Sequence, residues 1–303
     1  MNTTIKTALR GVAGIFITPY GSNGELAPEK LAPIVERALA AGVHLPVVNG
    51  NTAEFYSLTT EEQIRMANAL AELIDGRKPL LAGIGRSVAD AKRLAVASER
   101  AGAKGLMIQQ PSYPFVAPRG WKSYLEEVSS ATPDLPIVLY VRDDSIGINH
   151  IVEACSLPNV VGVKWATPNM SNLRSVMLEC PPEIVWVCGL AELYAPSCYA
   201  VGARGFTSGL INVWPERSMA IFEALERNDS AAALPLIDSI RAFEEVRAEE
   251  NSGVNVAVIK TALNLLGQDC GITRPPAGWP LSAPQQSRIE DFLKHNELSF
   301  NHD

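Results

Sequence analysis

The sequence predicts an α/β protein built as a (β/α)8 TIM barrel with a C-terminal helical extension. Apolar runs of strand length alternate with amphipathic helical segments from the start of the chain to about residue 210. There are eight such runs, which is the number of strands that a closed parallel barrel needs. After Asn212 the pattern changes to helices alone. The chain of 303 residues therefore divides into a predicted barrel domain over 1–213 and a predicted extension over 214–303.

The strands are predicted from short apolar runs bounded by turn residues. The first run follows Lys6 and Arg10 and superficially resembles a signal peptide, but it is short and leads into Thr18-Pro19-Tyr20, so we interpret it as a strand. Near-continuous apolar runs are typical of parallel strands that are covered on both faces. The predicted strands are 12–17, 45–49, 79–84, 105–110, 136–141, 160–164, 184–188 and 204–207.

Helical segments separate the strands, and several begin at a Ser, Thr or Pro that favours a helix start, as at Pro28, Thr59 and Ser87. The third glycine of a dinucleotide-binding loop is missing after Gly83-Ile84-Gly85, which disfavours a doubly wound sheet. We expect the extension to pack against the barrel or a neighbouring subunit. The predicted helices are 28–41, 59–75, 87–102, 118–131, 170–179 and 191–201, then 215–228, 230–250, 255–266 and 284–296.

Composition and charge favour a small-molecule substrate. The chain is 47% hydrophobic and carries a formal charge of −7 with a pI near 5.3, whereas nucleic acids and anionic membranes attract basic surfaces. Five cysteines without the close spacing of a zinc site or a disulfide framework predict a reduced, cytoplasmic protein. No apolar window is long enough to span a membrane. We therefore expect no nucleic-acid or membrane partner, and no cofactor or metal.

Lys164 ends the apolar run 160–163, which is typical of a buried strand. A buried lysine is either paired with an anion or chemically useful. Because desolvation disfavours the ammonium form, part of the amine population would be nucleophilic near neutral pH and able to form a Schiff base with a carbonyl compound. The alternative is that the strand ends at Val163 and Lys164 points into water.

Polar residues follow several other strands, at the end of the barrel where active sites lie. The turn Gly50-Asn51-Thr52 can offer N–H groups and the Thr52 hydroxyl to a carboxylate, or it can be an ordinary cap of the next helix. Tyr140 is either a core tyrosine or a phenol that moves protons beside the lysine, and Tyr113 has the same two interpretations.

Three further positions are candidates for substrate binding. Arg142 either forms a rim salt bridge with Asp143 or offers its planar guanidinium to a second carboxylate. Thr207 and Ser208 stand at the end of the last predicted strand.

Together these positions resemble the Schiff-base-forming class I lyases, the family that contains dihydrodipicolinate synthase and N-acetylneuraminate lyase. The resemblance implies a (β/α)8 barrel with a helical extension that assembles as a homotetramer, a dimer of dimers. The segments that carry it are 14–20, 50–59, 161–164 and 202–205, together with Tyr140.

The resemblance also implies roles for single residues. Lys164 matches the family's Schiff-base lysine, and Tyr140 matches the tyrosine that relays protons to and from the bound 2-keto acid. Asn51 and Thr52 match the turn that holds the substrate carboxylate. Two more positions complete the set: Gly189 matches a glycine lining the site, and Tyr113 a tyrosine that synthases lend across the dimer interface.

Two departures separate this chain from the synthases. The family's Gly-Thr-Thr-Gly-Glu is here Gly50-Asn51-Thr52-Ala53-Glu54, and an amide is a poor substitute for the first threonine hydroxyl in a proton relay. The arginine of the synthases' Asn-Val-Pro-x-Arg-Thr segment is matched by Ser145. Tyr140-Val141-Arg142-Asp143 and the segment 54–59 are more similar to 5-dehydro-4-deoxyglucarate dehydratase, a decarboxylating branch, although 165–169 lacks that branch's Asp-Gly pattern.

We therefore expect a lyase that acts on a 2-keto acid through Lys164, as a dehydratase, decarboxylating or not, or as an aldolase of a deoxy-keto sugar acid. Condensation of pyruvate of the 4-hydroxy-tetrahydrodipicolinate synthase type is the first alternative. A non-catalytic barrel that binds 2-keto acids is the second. A metal-dependent barrel enzyme is disfavoured, because none of the four histidines pairs with acidic residues at ligand spacing near a strand end.

Overall fold

A computed structural model describes residues 2–299 and has eight parallel strands in a closed barrel. Neighbours along the chain pair in order, and the last strand closes the barrel onto the first, with Ala13 opposite Thr207. All eight predicted strands are confirmed, with ends that differ by at most two residues. The strands are β1 Val12–Ile15, β2 Leu45–Val48, β3 Leu81–Ile84, β4 Gly105–Gln109, β5 Ile137–Val141, β6 Val160–Trp165, β7 Val185–Cys188 and β8 Phe206–Ser208.

Helices surround the barrel and form the extension. Two of them, α1 and α6, were not among the predicted helices; each has only eight residues, too few for a clear helical period. The predicted helix 28–41 is a 3-10 turn followed by α2. The helices are α1 Asn2–Leu9, α2 Ala32–Ala40, α3 Thr60–Ile74, α4 Val88–Arg100, α5 Pro118–Ser129, α6 Ile148–Cys155, α7 Met170–Glu179, α8 Ala191–Val201, α9 Pro215–Glu226, α10 Ser230–Ser252, α11 Asn255–Leu265 and α12 Ala283–His295.

Apolar side chains fill the barrel interior, and polar side chains lie at the carboxyl ends of the strands. Inward-facing side chains such as Val47, Met107 and Val138 form one buried cluster, which Ile5 and Leu9 of α1 close at the amino-terminal end of the strands. The outward faces of the strands pack against the surrounding helices in a second, larger cluster. Because one end of the barrel is filled, a ligand can enter the barrel only from the carboxyl ends of the strands.

The extension packs against the barrel and bends across its mouth. Buried residues of α9 to α12 belong to the same hydrophobic cluster as those of the barrel helices. Near its end α10 leaves helical geometry, and Glu250, Asn251 and Ser252 have φ angles of 53°, 55° and 64°. This left-handed turn brings the start of α11 over the barrel mouth. In the part of the chain from 2 to 299, no helix is both long enough and apolar enough to cross a membrane.

Candidate active site

A cavity of about 720 Å³ opens at the carboxyl ends of the strands. It is of the size that binds small organic molecules. The barrel contributes most of the predicted site residues to its wall, and the extension contributes Arg247, Asn251, Ser252 and Asn255. The predicted residues that line the cavity are Asn51, Thr52, Tyr140, Arg142, Lys164, Gly189 and Thr207.

Lys164 lies inside β6, which continues through Trp165, and its side chain is only 3% exposed. The alternative that it points into water is therefore wrong. Burial, together with the positive charge of Arg142, lowers the pKa of its amine to about 7. Among residues 2–299 its Nζ forms no ion pair or hydrogen bond, and it lies 4.0 Å from the centre of the Tyr140 ring. A neutral amine facing a cavity is a competent nucleophile.

A second buried lysine has the opposite surroundings. Lys260 of α11 is fully buried, but its Nζ lies 2.8 Å from Glu54 Oε1 and 2.8 Å from the carbonyl oxygen of Ile272. An amine held by a carboxylate stays protonated more readily than one without an anionic partner. Of the two buried lysines, Lys164 is thus the one suited to attack a carbonyl group.

Tyr140 stands next to Lys164 across the sheet, since the two residues are register partners in β5 and β6. Burial raises the pKa of its phenol to about 12, so the hydroxyl keeps its proton. The phenol oxygen accepts a hydrogen bond from Asn51 Nδ2 at 3.0 Å. Because Asn51 donates to this oxygen, the phenol proton is available to another acceptor in the cavity.

The segment after β2 is a tight 3-10 turn, Asn51–Ala53, followed by Glu54 in the left-handed region with φ 58°. We call residues 51–54 the 51–54 turn. It does not cap the next helix, because Thr59 caps α3 in a capping box with Glu62. The helix-cap alternative is therefore wrong, and Thr52 is left on the cavity wall.

Gly189 follows β7 and makes room for the lysine. A Cβ atom at this position would lie 2.9 Å from Lys164 Cγ and 2.8 Å from the carbonyl oxygen of Trp165. The Trp165 oxygen is backbone and cannot move aside freely. A side chain at position 189 would therefore displace the lysine or its strand.

Arg142 stands on the cavity rim with an exposed side chain. It forms no salt bridge with Asp143, whose Oδ1 instead accepts from the backbone N–H of Ser145 at 2.9 Å. The rim salt-bridge alternative is wrong, and Arg142 lines the cavity instead. The exposed guanidinium of Arg142 is suited to bind an anionic group.

Ser208 and Tyr113 are predicted site residues that lie away from this cavity. Ser208 faces outward because its neighbour Thr207 faces the barrel interior, and the Ser208 hydroxyl donates to Glu192 Oε1 at 2.6 Å. Tyr113, on the loop after β4, is 65% exposed and stacks edge-on with Phe115 beside a separate apolar cavity. A single chain therefore brings neither residue to Lys164.

Several residues of the cavity were missed from the sequence, including every one that the extension contributes. Arg247 of α10 is 4% exposed and pairs with Glu244 at 2.5 Å. A Cβ atom on Gly209 would lie 2.4 Å from Arg247 Nη2, so the guanidinium packs directly on the backbone after β8.

The model of the Dihydrodipicolinate synthetase family matches residues 8–296, nearly the whole chain. The chain belongs to this family. The predicted resemblance is thereby confirmed, and the protein is a lyase of the dihydrodipicolinate synthetase family. Within residues 2–299, no three His, Cys, Asp or Glu side chains are grouped so as to hold a metal ion.

Similar proteins carry the names of two different reactions. A "Probable 5-dehydro-4-deoxyglucarate dehydratase 1" from Streptomyces coelicolor is 32% identical over 287 residues, which cover 92% of this chain and 89% of that protein. A 4-hydroxy-tetrahydrodipicolinate synthase from Methanoculleus marisnigri is 30% identical and covers 94% of this chain and 97% of its own. The crystal structure of dihydrodipicolinate synthase from Bacillus clausii has a TM-score of 0.93 at 35% identity, covering 97% of this chain and 100% of its own. Family membership thus does not choose between dehydration and condensation.

Proposed function

We propose that the protein forms a Schiff base between Lys164 and a deoxy-keto sugar acid and dehydrates that acid, with or without loss of CO2. Retro-aldol release of pyruvate is the second candidate reaction, and condensation of pyruvate with an acceptor is the third. The observation that carries the proposal is the amine of Lys164, which faces the cavity without an ionic partner and has its pKa lowered to about 7.

The reaction begins when the neutral amine attacks the ketone carbon and the carbinolamine loses water to give a protonated imine. The imine withdraws electrons, so a proton leaves the adjacent CH2 group and an enamine forms. The enamine then expels the hydroxyl group of the next carbon as water, and hydrolysis of the imine frees Lys164. In this proposal Tyr140, whose ring centre lies 4.0 Å from Lys164 Nζ, supplies and accepts the protons of these steps.

The two ends of the substrate meet different walls of the cavity. The carboxylate beside the ketone rests on Asn51 and Thr52, and Arg142 holds a distal carboxylate or hydroxyl group. Gly189 and Thr207 line the space between them. A long, polar 2-keto acid uses both ends, which is why we rank a sugar acid above a cyclic imine acceptor.

Condensation of the synthase type, the third candidate reaction, is kept because relatives carry that name. Two residues argue against it. Asn51 donates to the phenol of Tyr140 in place of a hydroxyl that could relay a proton. Ser145 stands where the resemblance implies an arginine for the second substrate.

A non-catalytic barrel that binds 2-keto acids is the alternative from another class. The open amine of Lys164 disfavours it, because a binding site gains little from a buried lysine without a partner. Such a protein would bind ligand equally well after Lys164→Ala. We further propose that the active form is a cytoplasmic homotetramer, a dimer of dimers, as the family resemblance implies.

Product analysis tests the proposed reaction. Wild type and Arg142→Ala are incubated with 5-dehydro-4-deoxyglucarate and with pyruvate plus an aldehyde, and products are followed by NMR. We expect dehydration of the sugar acid by the wild type. The loss of one charged contact to the distal group should raise KM for the sugar acid by roughly 10-fold or more. Pyruvate has no distal group and should still be trapped on Lys164. Efficient condensation without dehydration would favour the synthase alternative.

A further inference from the structure

The extension reaches the active site through one buried ion pair beneath the 51–54 turn. Lys260 and Glu54 are separated by 206 residues in the sequence, and their side chains are 0% and 2% exposed. Both carboxylate oxygens of Glu54 are bound. Oε1 meets Lys260 Nζ at 2.8 Å, and Oε2 accepts from the backbone N–H of Arg274 at 2.8 Å.

The backbone of Glu54 needs such contacts. Its φ of 58° and ψ of 39° place a non-glycine residue in the left-handed region, directly after the turn residues that line the cavity. Conformations of this kind persist where the surroundings over-determine them, and they concentrate at functional sites. The bonds from Lys260 and Arg274 are the contacts that hold the Glu54 side chain in this structure.

The surroundings of the pair are aromatic and basic. The Tyr20 ring lies between two cations, with its centre 4.2 Å from Lys260 Nζ and 4.4 Å from Arg274 Cζ. Burial lowers the pKa of Lys260, and the carboxylate of Glu54 opposes that shift. Removing either partner would leave the other charge buried without compensation.

The two uncompensated charges would act differently on an anionic ligand. Glu54 itself lines the cavity, so an unpaired carboxylate there would repel a substrate carboxylate on the neighbouring Asn51 and Thr52. An unpaired ammonium at Lys260 would not. A pair that only stabilised the fold would produce no such asymmetry.

We infer that Glu54 and Lys260 are positioning residues: through their ion pair, α11 of the extension fixes the shape of the 51–54 turn and neutralises the charge behind the substrate carboxylate. The inference rests on the proposed function for the identity of the group that binds the turn. It extends the site to a pair that the reaction chemistry itself does not use.

The test measures pyruvate binding in four variants of the full chain: Glu54→Gln, Glu54→Asp, Lys260→Met and the double variant Glu54→Gln/Lys260→Met. Each is made in the Lys164→Ala background and titrated with pyruvate by calorimetry, so that binding is read without imine formation. The same substitutions with Lys164 present are assayed for borohydride trapping. Thermal unfolding is recorded for every variant.

We expect Lys260→Met and Glu54→Gln to bind pyruvate roughly 10- to 100-fold more weakly, which is the effect of a misplaced binding group. Lys260→Met should lose more than Glu54→Gln, and Glu54→Asp should lose least. The double variant carries no charge at positions 54 and 260, so it serves where a single variant fails to fold, and it should still bind weakly. At saturating pyruvate, the fraction of trapped lysine should match the wild type.

The matched control is Glu192→Gln, a fully buried carboxyl on α8 that bonds Ser208 and Ser218 and does not line the cavity. It should leave pyruvate binding unchanged, however far the melting temperature falls. Equal losses of pyruvate binding in Glu54→Gln and Lys260→Met that simply follow melting temperature, or wild-type binding in the double variant, would overturn the inference. Failure of wild-type protein to trap any 2-keto acid would instead refute the proposed function, while the calorimetric comparison still decides the role of the pair.

Discussion

Within residues 2–299 two lysines are buried, Lys164 and Lys260, and their neighbours differ in charge. Lys260 is paired with Glu54, whereas among residues 2–299 Lys164 Nζ has no ionic partner and lies over the face of the Tyr140 ring. Removing an ammonium from water without a counter-ion favours the neutral amine. The nucleophilicity of Lys164 therefore depends on the lack of a carboxylate partner among residues 2–299 as much as on the lysine itself.

The lowered pKa of Lys164 makes a prediction about pH. Because only the neutral amine attacks the ketone, the rate of adduct formation at low pyruvate concentration should rise with pH and level off above about 7. Below that point the rate should fall about tenfold for each pH unit. Stopped-flow or quenched borohydride trapping between pH 5 and 10 measures this profile. A rate that keeps rising towards pH 10 would indicate an amine with an ordinary pKa.

At the scale of elements, the strands and most helices could be predicted because their apolar periods are local. The site residues on strand ends followed from the same register, since the carboxyl ends of parallel strands meet at one mouth. Ser208 was misplaced because alternation along β8 turns it away once Thr207 faces inward. Arg247 and the partner of Glu54 could not be predicted, because both depend on how a distant helix packs on the barrel.

The loop after β4 carries the element-level prediction. Asn51 donates to the Tyr140 phenol, and Tyr113 lies beside another cavity, so within residues 2–299 no hydrogen bond connects the two tyrosines. We expect Tyr113→Phe to change kcat by less than about twofold, against roughly a 100-fold or greater loss in Tyr140→Phe. Exchange of the pyruvate methyl protons in D2O, followed by NMR, reports both.

A comparable loss in both variants would show that Tyr113 reaches the site from a partner subunit and takes part in proton transfer. Because Tyr113 is exposed in the single chain, such a result would also require the assembled oligomer. Measuring the mass of each variant in solution separates a loss of assembly from a loss of proton transfer.

At the scale of the whole molecule, barrel and extension share one hydrophobic cluster and both line the same cavity. The extension thus forms part of the wall of the candidate site, with Arg247 against the backbone of Gly209 and Lys260 beneath the 51–54 turn. The boundary near residue 213 stays a prediction about folding units. The net charge of −7 fits an enzyme whose anionic substrate is drawn by a few local cations rather than by the overall field.

Borohydride trapping with peptide mapping tests the central claim most directly. Purified protein is incubated with pyruvate and, separately, with a deoxy-keto sugar acid, reduced with borohydride, and examined by intact mass and then by digestion. The proposed chemistry predicts one adduct per chain, located on Lys164 and absent from Lys164→Ala, whose Lys260 remains as an internal control. An unmodified Lys164, or an adduct on another lysine, would contradict the assignment of this residue as the Schiff-base nucleophile.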